Sequence, residues 1–217
     1  ETSKSEIERF IPAARGKIAV THLAPSPGIV PMIAEEACRT VRNALALERP
    51  FLLTVGTRWP RKNMGLAIAA VEGLPERFPH LLAVTGKPGW GVNEEDGRRI
   101  VPTGYVDQHL LSALYSSATM TLVPSRHEGF GLPVVEAFAC GCPVLASTGG
   151  ALPEVAGGAA EIVAGWDPAD WTAALEATLD DSSKLDAMRT RGMERARAFD
   201  WRETARRTLE TYREVAG

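Results

Sequence analysis

The chain lacks most of the features that place a protein at a glance. Of its 217 residues only three are cysteines, Cys38, Cys140 and Cys142. They form no C-x-x-C pair and have no paired histidines nearby, so a zinc site and a disulfide framework are both excluded, and reduced, buried thiols are expected. No apolar run approaches the roughly 20 residues of a membrane-spanning helix. The opening stretch Glu1-Thr2-Ser3-Lys4-Ser5-Glu6 lacks the apolar core of a secretory leader and the chain does not begin with Met, which is expected of a cytoplasmic protein represented by a fragment. The net charge of −3 gives no basic field of the kind that holds nucleic acid, so nucleic acid is not an expected partner. Neither G-x-x-x-x-G-K-[ST] nor G-x-G-x-x-G occurs; Gly86-Lys87-Pro88-Gly89-Trp90-Gly91 has no following Ser or Thr. There is no internal repeat and no low-complexity tract.

What is present is a pattern of alternation. With 45% hydrophobic residues and 20 glycines the chain can bury a sizeable core. Residues 51–56, 81–86, 100–105, 119–123 and 143–147 are short apolar runs, most of them closed by Gly, Pro or Ser, and read as buried parallel strands. Helical patterns lie between and after them, over 63–74, 108–118, 132–139 and 168–179. This order predicts an α/β, doubly wound parallel sheet of Rossmann-like type. In such sheets ligands sit beyond the carboxyl ends of the strands, so the loops after Gly56, Gly86, Tyr105 and Val123 should share one rim. Residues 35–47 read as a further helix. The proline-rich segment Ala24-Pro25-Ser26-Pro27-Gly28 resists helix, and residues 1–30 are taken as an interdomain lead-in to a domain over 31–217. Terminal helices are expected over 184–217, broken near Phe199-Asp200. Their eight arginines are interleaved with acidic residues, which favours a solvated face over a patch for anionic lipid; peripheral membrane contact stays open.

Two rim loops carry chemistry. The first, Pro124-Ser125-Arg126-His127-Glu128-Gly129-Phe130-Gly131-Leu132-Pro133-Val134-Val135-Glu136, leads into a helix with proline in its first turn. The N–H groups of Gly129, Phe130, Gly131 and Leu132 can face outward there, and with the positive end of the helix dipole they suit an anion such as phosphate. Glu128 and Glu136 beside such a site make sense as acceptors for hydroxyls, in which sugars and ribose are rich. The second loop, Gly56-Thr57-Arg58-Trp59-Pro60-Arg61-Lys62-Asn63, crowds three cations onto the same rim. Arg grips phosphate oxygens with a planar fork and Lys adds a compact charge, so the pair suits a diphosphate facing the Glu128 turn.

These blocks also carry a resemblance. Gly-Thr-x-x-Pro-Arg-Lys-Asn, Gly-Lys-x-Gly-Trp, Gly-Tyr-Val, Leu-Tyr-Ser-x-Ala, Pro-Ser-x-x-Glu-Gly-Phe-Gly-Leu-Pro-Val-x-Glu-Ala and Leu-Pro-Glu-Val follow one another here. In that order the chain resembles, from about Lys17 to Ala216, the C-terminal donor-binding half of a retaining glycosyltransferase of the GT-B fold, family 4, in its mannosyltransferase-like branch. The resemblance implies that Arg61 and Lys62 neutralise the donor diphosphate as it departs. It further implies that Glu128 and the amides of Gly129, Phe130 and Gly131 hold the transferred sugar, and that the Leu132 amide meets a phosphate. Glu136 would accept the ribose hydroxyls, and Tyr105 and Val106 would support the nucleobase, with Trp90 helping to enclose it. Arg58 has no settled role, and His127 is read as a structural residue at the pocket edge.

The reaction implied is transfer of a hexose from a nucleotide diphosphate sugar to an acceptor hydroxyl, with retention and with an oxocarbenium-like transition state attacked from the front side. No cofactor and no metal are expected, because fixed cations and helix-end amides can stabilise the leaving diphosphate. Two carboxylates alone do not make this a glycosidase. GDP-mannose is the favoured donor, with UDP-glucose next. A glycan or lipid-linked acceptor would bind the N-terminal half, which the resemblance places outside this chain; the 217 residues alone are expected to bind donor weakly and to transfer little. A noncatalytic nucleotide-sugar-binding module, a GT-B epimerase and a glycan phosphorylase are the alternatives. The phosphorylase lacks its cofactor-lysine context here, and the epimerase does not normally present this Glu-Gly-Phe-Gly-Leu-Pro turn.

Overall fold

A computed structural model describes residues 1–87 and 97–216. Six strands, β1 (Phe51–Val55), β2 (Leu81–Thr85), β3 (Ile100–Gly104), β4 (Met120–Val123), β5 (Val144–Ser147) and β6 (Glu161–Val163), form one sheet in the order β3-β2-β1-β4-β5-β6. Every pairing is parallel, with Leu52 opposite Leu82 on one side and Met120 on the other. This is the doubly wound Rossmann order, and its direction reverses between β1 and β4. The five strands expected from the sequence are all present. The three residues of β6 are too few for a hydrophobic run to announce them.

Alternate strand residues feed two cores because side chains point to opposite faces with a period of two. Leu53, Ala83, Val123 and Ala146 face one layer, which contains α2 (Ala34–Leu45), α4 (Gln108–Ser117), α5 (Leu132–Ala139) and α6 (Leu152–Ala156). Leu52, Leu82, Val84, Leu122 and Leu145 face the other, covered by α3 (Met64–Glu72) and α7 (Pro168–Leu179). Trp171 of α7 is fully buried there and donates its indole N–H to the Gly165 carbonyl at 3.0 Å. Asp107, Asp167 and the residue Asp181 each accept a backbone N–H at the start of α4, α7 and α8 (Ser182–Ala196), the side-chain capping that starts helices at these points. α8 packs on α5, and Gly192 makes room for the Phe138 ring.

The lead-in is more structured than its sequence announces. It begins with α1 (Thr2–Phe10), a polar helix with no buried residue, makes a 3-10 turn over Pro12–Ala14, and then runs without helix or strand to α2. At the other end, α9 (Trp201–Ala216) likewise buries none of its residues. Arg206 pairs with Glu203 and Glu210, and Arg207 with Glu203, so the interleaved charges neutralise one another along the helix as a solvated face does. Among the described residues no helix is long and apolar enough to cross a membrane. One thiol departs from expectation. Cys140 and Cys142 are buried, but Cys38 is exposed, because α2 turns its neighbour Ala37 and Val41 inward and leaves position 38 on the solvent side.

Candidate functional site

The topological reversal brings together the two loops singled out in the sequence. After β1, Gly56 has φ of +142°, and a Cβ built there would lie 3.2 Å from Cε of Lys62. The bare glycine therefore leaves a path for the lysine stem. Pro60–Lys62 form a single 3-10 turn with proline first, and Asn63 closes it in the left-handed region at φ +50°, where Asn is among the tolerated residues. The turn aims Arg61 and Lys62 across the gap. The Arg126 amide donates to the Arg61 carbonyl at 2.7 Å, locking the β1 loop to the β4 loop.

Glu128 receives both cations. Lys62 Nζ lies 2.6 Å from Oε1 and Arg61 Nη1 3.2 Å from Oε2, while Ser125 Oγ donates to Oε1 at 2.6 Å. The Glu128 side chain is 8% exposed and that of Lys62 12%. Burial works to raise the Glu128 carboxyl, but hydrogen bonds from Lys62 and Ser125, with the charges of Lys62 and Arg61, outweigh it and hold the group below the usual carboxylate range. The loop rests on β5: Ser147 Oγ donates to the Ser125 carbonyl at 2.5 Å, and the Ala151 amide donates to the Glu128 carbonyl at 2.9 Å. A Cβ at Gly149 would stand 2.1 Å from the Ser125 carbonyl oxygen, so this approach requires glycine. Ser125, Ser147 and Gly149 were not assigned from sequence; only the Pro-Ser of the loop motif hinted at the first.

Gly131 precedes α5 with φ of +102°, and a Cβ there would meet Leu152 at 2.8 Å. The amides of Gly129, Phe130, Gly131 and Leu132 donate to no acceptor among the described residues; for Gly131 and Leu132 this is what the start of α5 leaves, and Gly129 and Phe130 belong to the loop that leads into it. The Phe130 ring itself packs edge-on against Phe199 at 5.5 Å and lies 6.1 Å from His22. His127 is 52% exposed and faces Glu6 of α1 at 3.7 Å. α1 thus stands beside the glycine turn, with Ser3 Oγ donating to the Gly129 carbonyl at 3.0 Å.

Glu136, one turn into α5, is buried. It accepts from Ser26 Oγ at 2.6 Å on Oε1 and from Tyr115 OH at 3.2 Å on Oε2. Neither partner was singled out in the sequence. Tyr105 and Val106 line a cavity of about 320 Å³ beyond the ends of β1, β2 and β3, together with Gly56, Gly86, Lys87 and Leu111. The Tyr105 ring is exposed, with the Lys87 ammonium 5.2 Å from its centre. Trp90 lies outside the described residues. The rim therefore joins Arg61, Lys62 and Glu128 in one cluster, sets the four free amides next to it, and holds Tyr105 and Val106 at a neighbouring cavity.

With the strand order and its reversal, this architecture is one Rossmann-like half of a GT-B fold. Residues 49–181, more than half the chain, match the family model for glycosyl transferases group 1, and the chain belongs to that family. It is similar to an O-antigen chain mannosyltransferase B of Escherichia coli, 32% identical over 221 residues, covering 97% of this chain and 58% of that one. Among solved structures it is similar to the sucrose-phosphate synthase (tll1590) of Thermosynechococcus elongatus, at 25% identity and a TM-score of 0.79, covering 99% of this chain and 56% of that one. It also resembles in fold the Anabaena protein Alr3699/HepE, solved with UDP and glucose, at 18% identity and a TM-score of 0.83, covering 98% and 61%. The chain spans little more than half the length of each of these proteins.

Proposed function

We propose that this chain binds a nucleotide diphosphate sugar, GDP-mannose before UDP-glucose, for retaining transfer of a hexose to an acceptor hydroxyl. The observation that carries the reading is the meeting of Lys62, Arg61 and Glu128 at the β1/β4 reversal, beside the free amides that open α5. In this reading the cations and the Leu132 amide take the diphosphate. Glu128 and the amides of Gly129, Phe130 and Gly131 take the sugar, Glu136 takes the ribose, and the cavity at Tyr105 and Val106 takes the base.

In the step proposed, the acceptor oxygen attacks the anomeric carbon as the bond from that carbon to the diphosphate breaks. The leaving diphosphate keeps the electron pair and takes the acceptor proton. Arg61 and Lys62 meet the charge that develops, so no dedicated metal is called for. The similarity to a mannosyltransferase supports the choice of mannose. The acceptor, a glycan or lipid-linked glycan, would be held by residues beyond those of this chain, and the chain alone would turn over little. The donor pool implied is cytoplasmic.

Calorimetric titration with GDP, UDP, ADP and their sugars tests this. GDP and GDP-mannose should bind tightest, and Glu136→Ala should weaken binding about tenfold or more, the worth of hydrogen bonds to a charged acceptor. If no nucleotide binds, or Glu136→Ala binds as well as the parent, the site assignment is wrong.

A further inference from the structure

The contact between Ser26 and Glu136 joins the lead-in to a residue of the donor site across 110 positions of sequence. Ser26 stands between Pro25 and Pro27, whose rings fix the local backbone, and it is half-buried. Around it the lead-in is held by side chains of α4 and α9. Ser112 Oγ is 3.2 Å from the Val30 amide, Ser116 Oγ accepts from the Met32 amide at 3.0 Å, and the Trp201 indole N–H donates to the Pro25 carbonyl at 2.8 Å. The Ser26 hydroxyl is thus delivered to Oε1 of Glu136 by a braced segment.

Tyr115 differs from Ser26 in its freedom to leave. Its side chain is wholly interior, and Glu136 Oε2 is the acceptor its hydroxyl uses. Leaving would strand a buried O–H, at a cost that a half-buried serine does not face. The two oxygens of Glu136 therefore carry one permanent and one exchangeable hydroxyl.

We infer that Ser26 is an internal competitor at the donor site: its hydroxyl stands in for one ribose hydroxyl on Glu136 Oε1, and an incoming nucleotide must take its place. The inference rests on the reading of Glu136 as the ribose acceptor. Tyr115 meanwhile fixes the carboxylate so that Oε1 is the oxygen offered to the ligand. Because Ser26 belongs to the lead-in, occupancy of the donor site is communicated to that segment through a single hydrogen bond.

Titration of the 217-residue chain with GDP and with 2′,3′-dideoxy-GDP, for the parent, Ser26→Ala and Tyr115→Phe, separates the possibilities. Removing an internal competitor should tighten GDP binding about three- to tenfold in Ser26→Ala and leave the dideoxy nucleotide unchanged. Tyr115→Phe should weaken GDP by a similar factor, again without moving the dideoxy nucleotide. A merely structural role shifts both nucleotides alike, and that result overturns the inference, as does a Ser26→Ala variant with unaltered or weaker GDP affinity. If the parent binds GDP and its dideoxy form equally, the ribose reading of Glu136 fails and takes this inference with it. If the parent discriminates between them but Ser26→Ala does not tighten GDP, only the role of Ser26 is lost.

Discussion

Lys62→Ala is expected to weaken nucleoside diphosphate binding by about 100-fold and to destabilise the fold at the same time. Both effects have one origin. Lys62 and Glu128 are nearly buried and 2.6 Å apart, and deleting one partner of such a pair leaves the other desolvated without its counter-charge. The stability loss should fall near 3 kcal/mol, the lower end for a buried pair, because Arg61 and Ser125 still hold the carboxylate. In the variant Glu128 also becomes a weakly compensated negative charge facing the diphosphate, which compounds the loss of affinity. Calorimetry with GDP and chemical denaturation read the two effects separately. The double variant Lys62→Ala, Glu128→Ala should regain stability relative to Lys62→Ala without regaining tight GDP binding. GDP affinity in Lys62→Ala within twofold of the parent would remove Lys62 from the diphosphate site.

How much of this was legible in the sequence depends on the range over which each contact acts. Four of the five strands were readable because a strand buried on both faces must be apolar throughout, as in Leu52-Leu53 or Met120 to Val123, whereas β3, at the sheet edge with no buried residue, was readable only from its Ile100-Val101 start and its closing Gly104. The shared rim followed from parallel topology alone. The meeting of Arg61, Lys62 and Glu128 was readable to the level of the loop, since both loops flank a reversal that the alternation implies. It was not readable that Glu128 would spend both oxygens on those cations, because that depends on a 3-10 turn closed by Asn63 and on the missing side chain of Gly56. The partners of Glu136 were hidden for a different reason. Ser26 sits in a segment whose prolines say only that it is not helical, and nothing local marks its hydroxyl as aimed at a carboxylate far along the chain. α1 was missed because its nine residues carry only two apolar side chains, Ile7 and Phe10, too few to define a helical period.

Glu128→Gln should separate two functions that the charged cluster combines. The substitution keeps the size of the side chain and removes its charge, so Lys62 and Arg61 are no longer shared between a carboxylate and the ligand. GDP should therefore bind the variant as tightly as the parent, or a few-fold more tightly. The affinity added by the sugar should behave in the opposite way. If Glu128 accepts hexose hydroxyls, the ratio of GDP-mannose to GDP affinity should fall about tenfold or more, since a charge-assisted hydrogen bond becomes a neutral one. Acid stability supplies an independent readout of the same group. The Glu128 carboxyl is held below its usual range in the folded chain, so it contributes stability above the unfolded carboxylate range that is lost as the pH falls through the folded value. Glu128→Gln should remove that portion of the acid dependence of the melting temperature. A variant that loses GDP affinity as severely as Lys62→Ala, with an unchanged sugar-to-nucleotide ratio, would assign Glu128 to holding the cations in place and would leave the transferred sugar without its proposed acceptor.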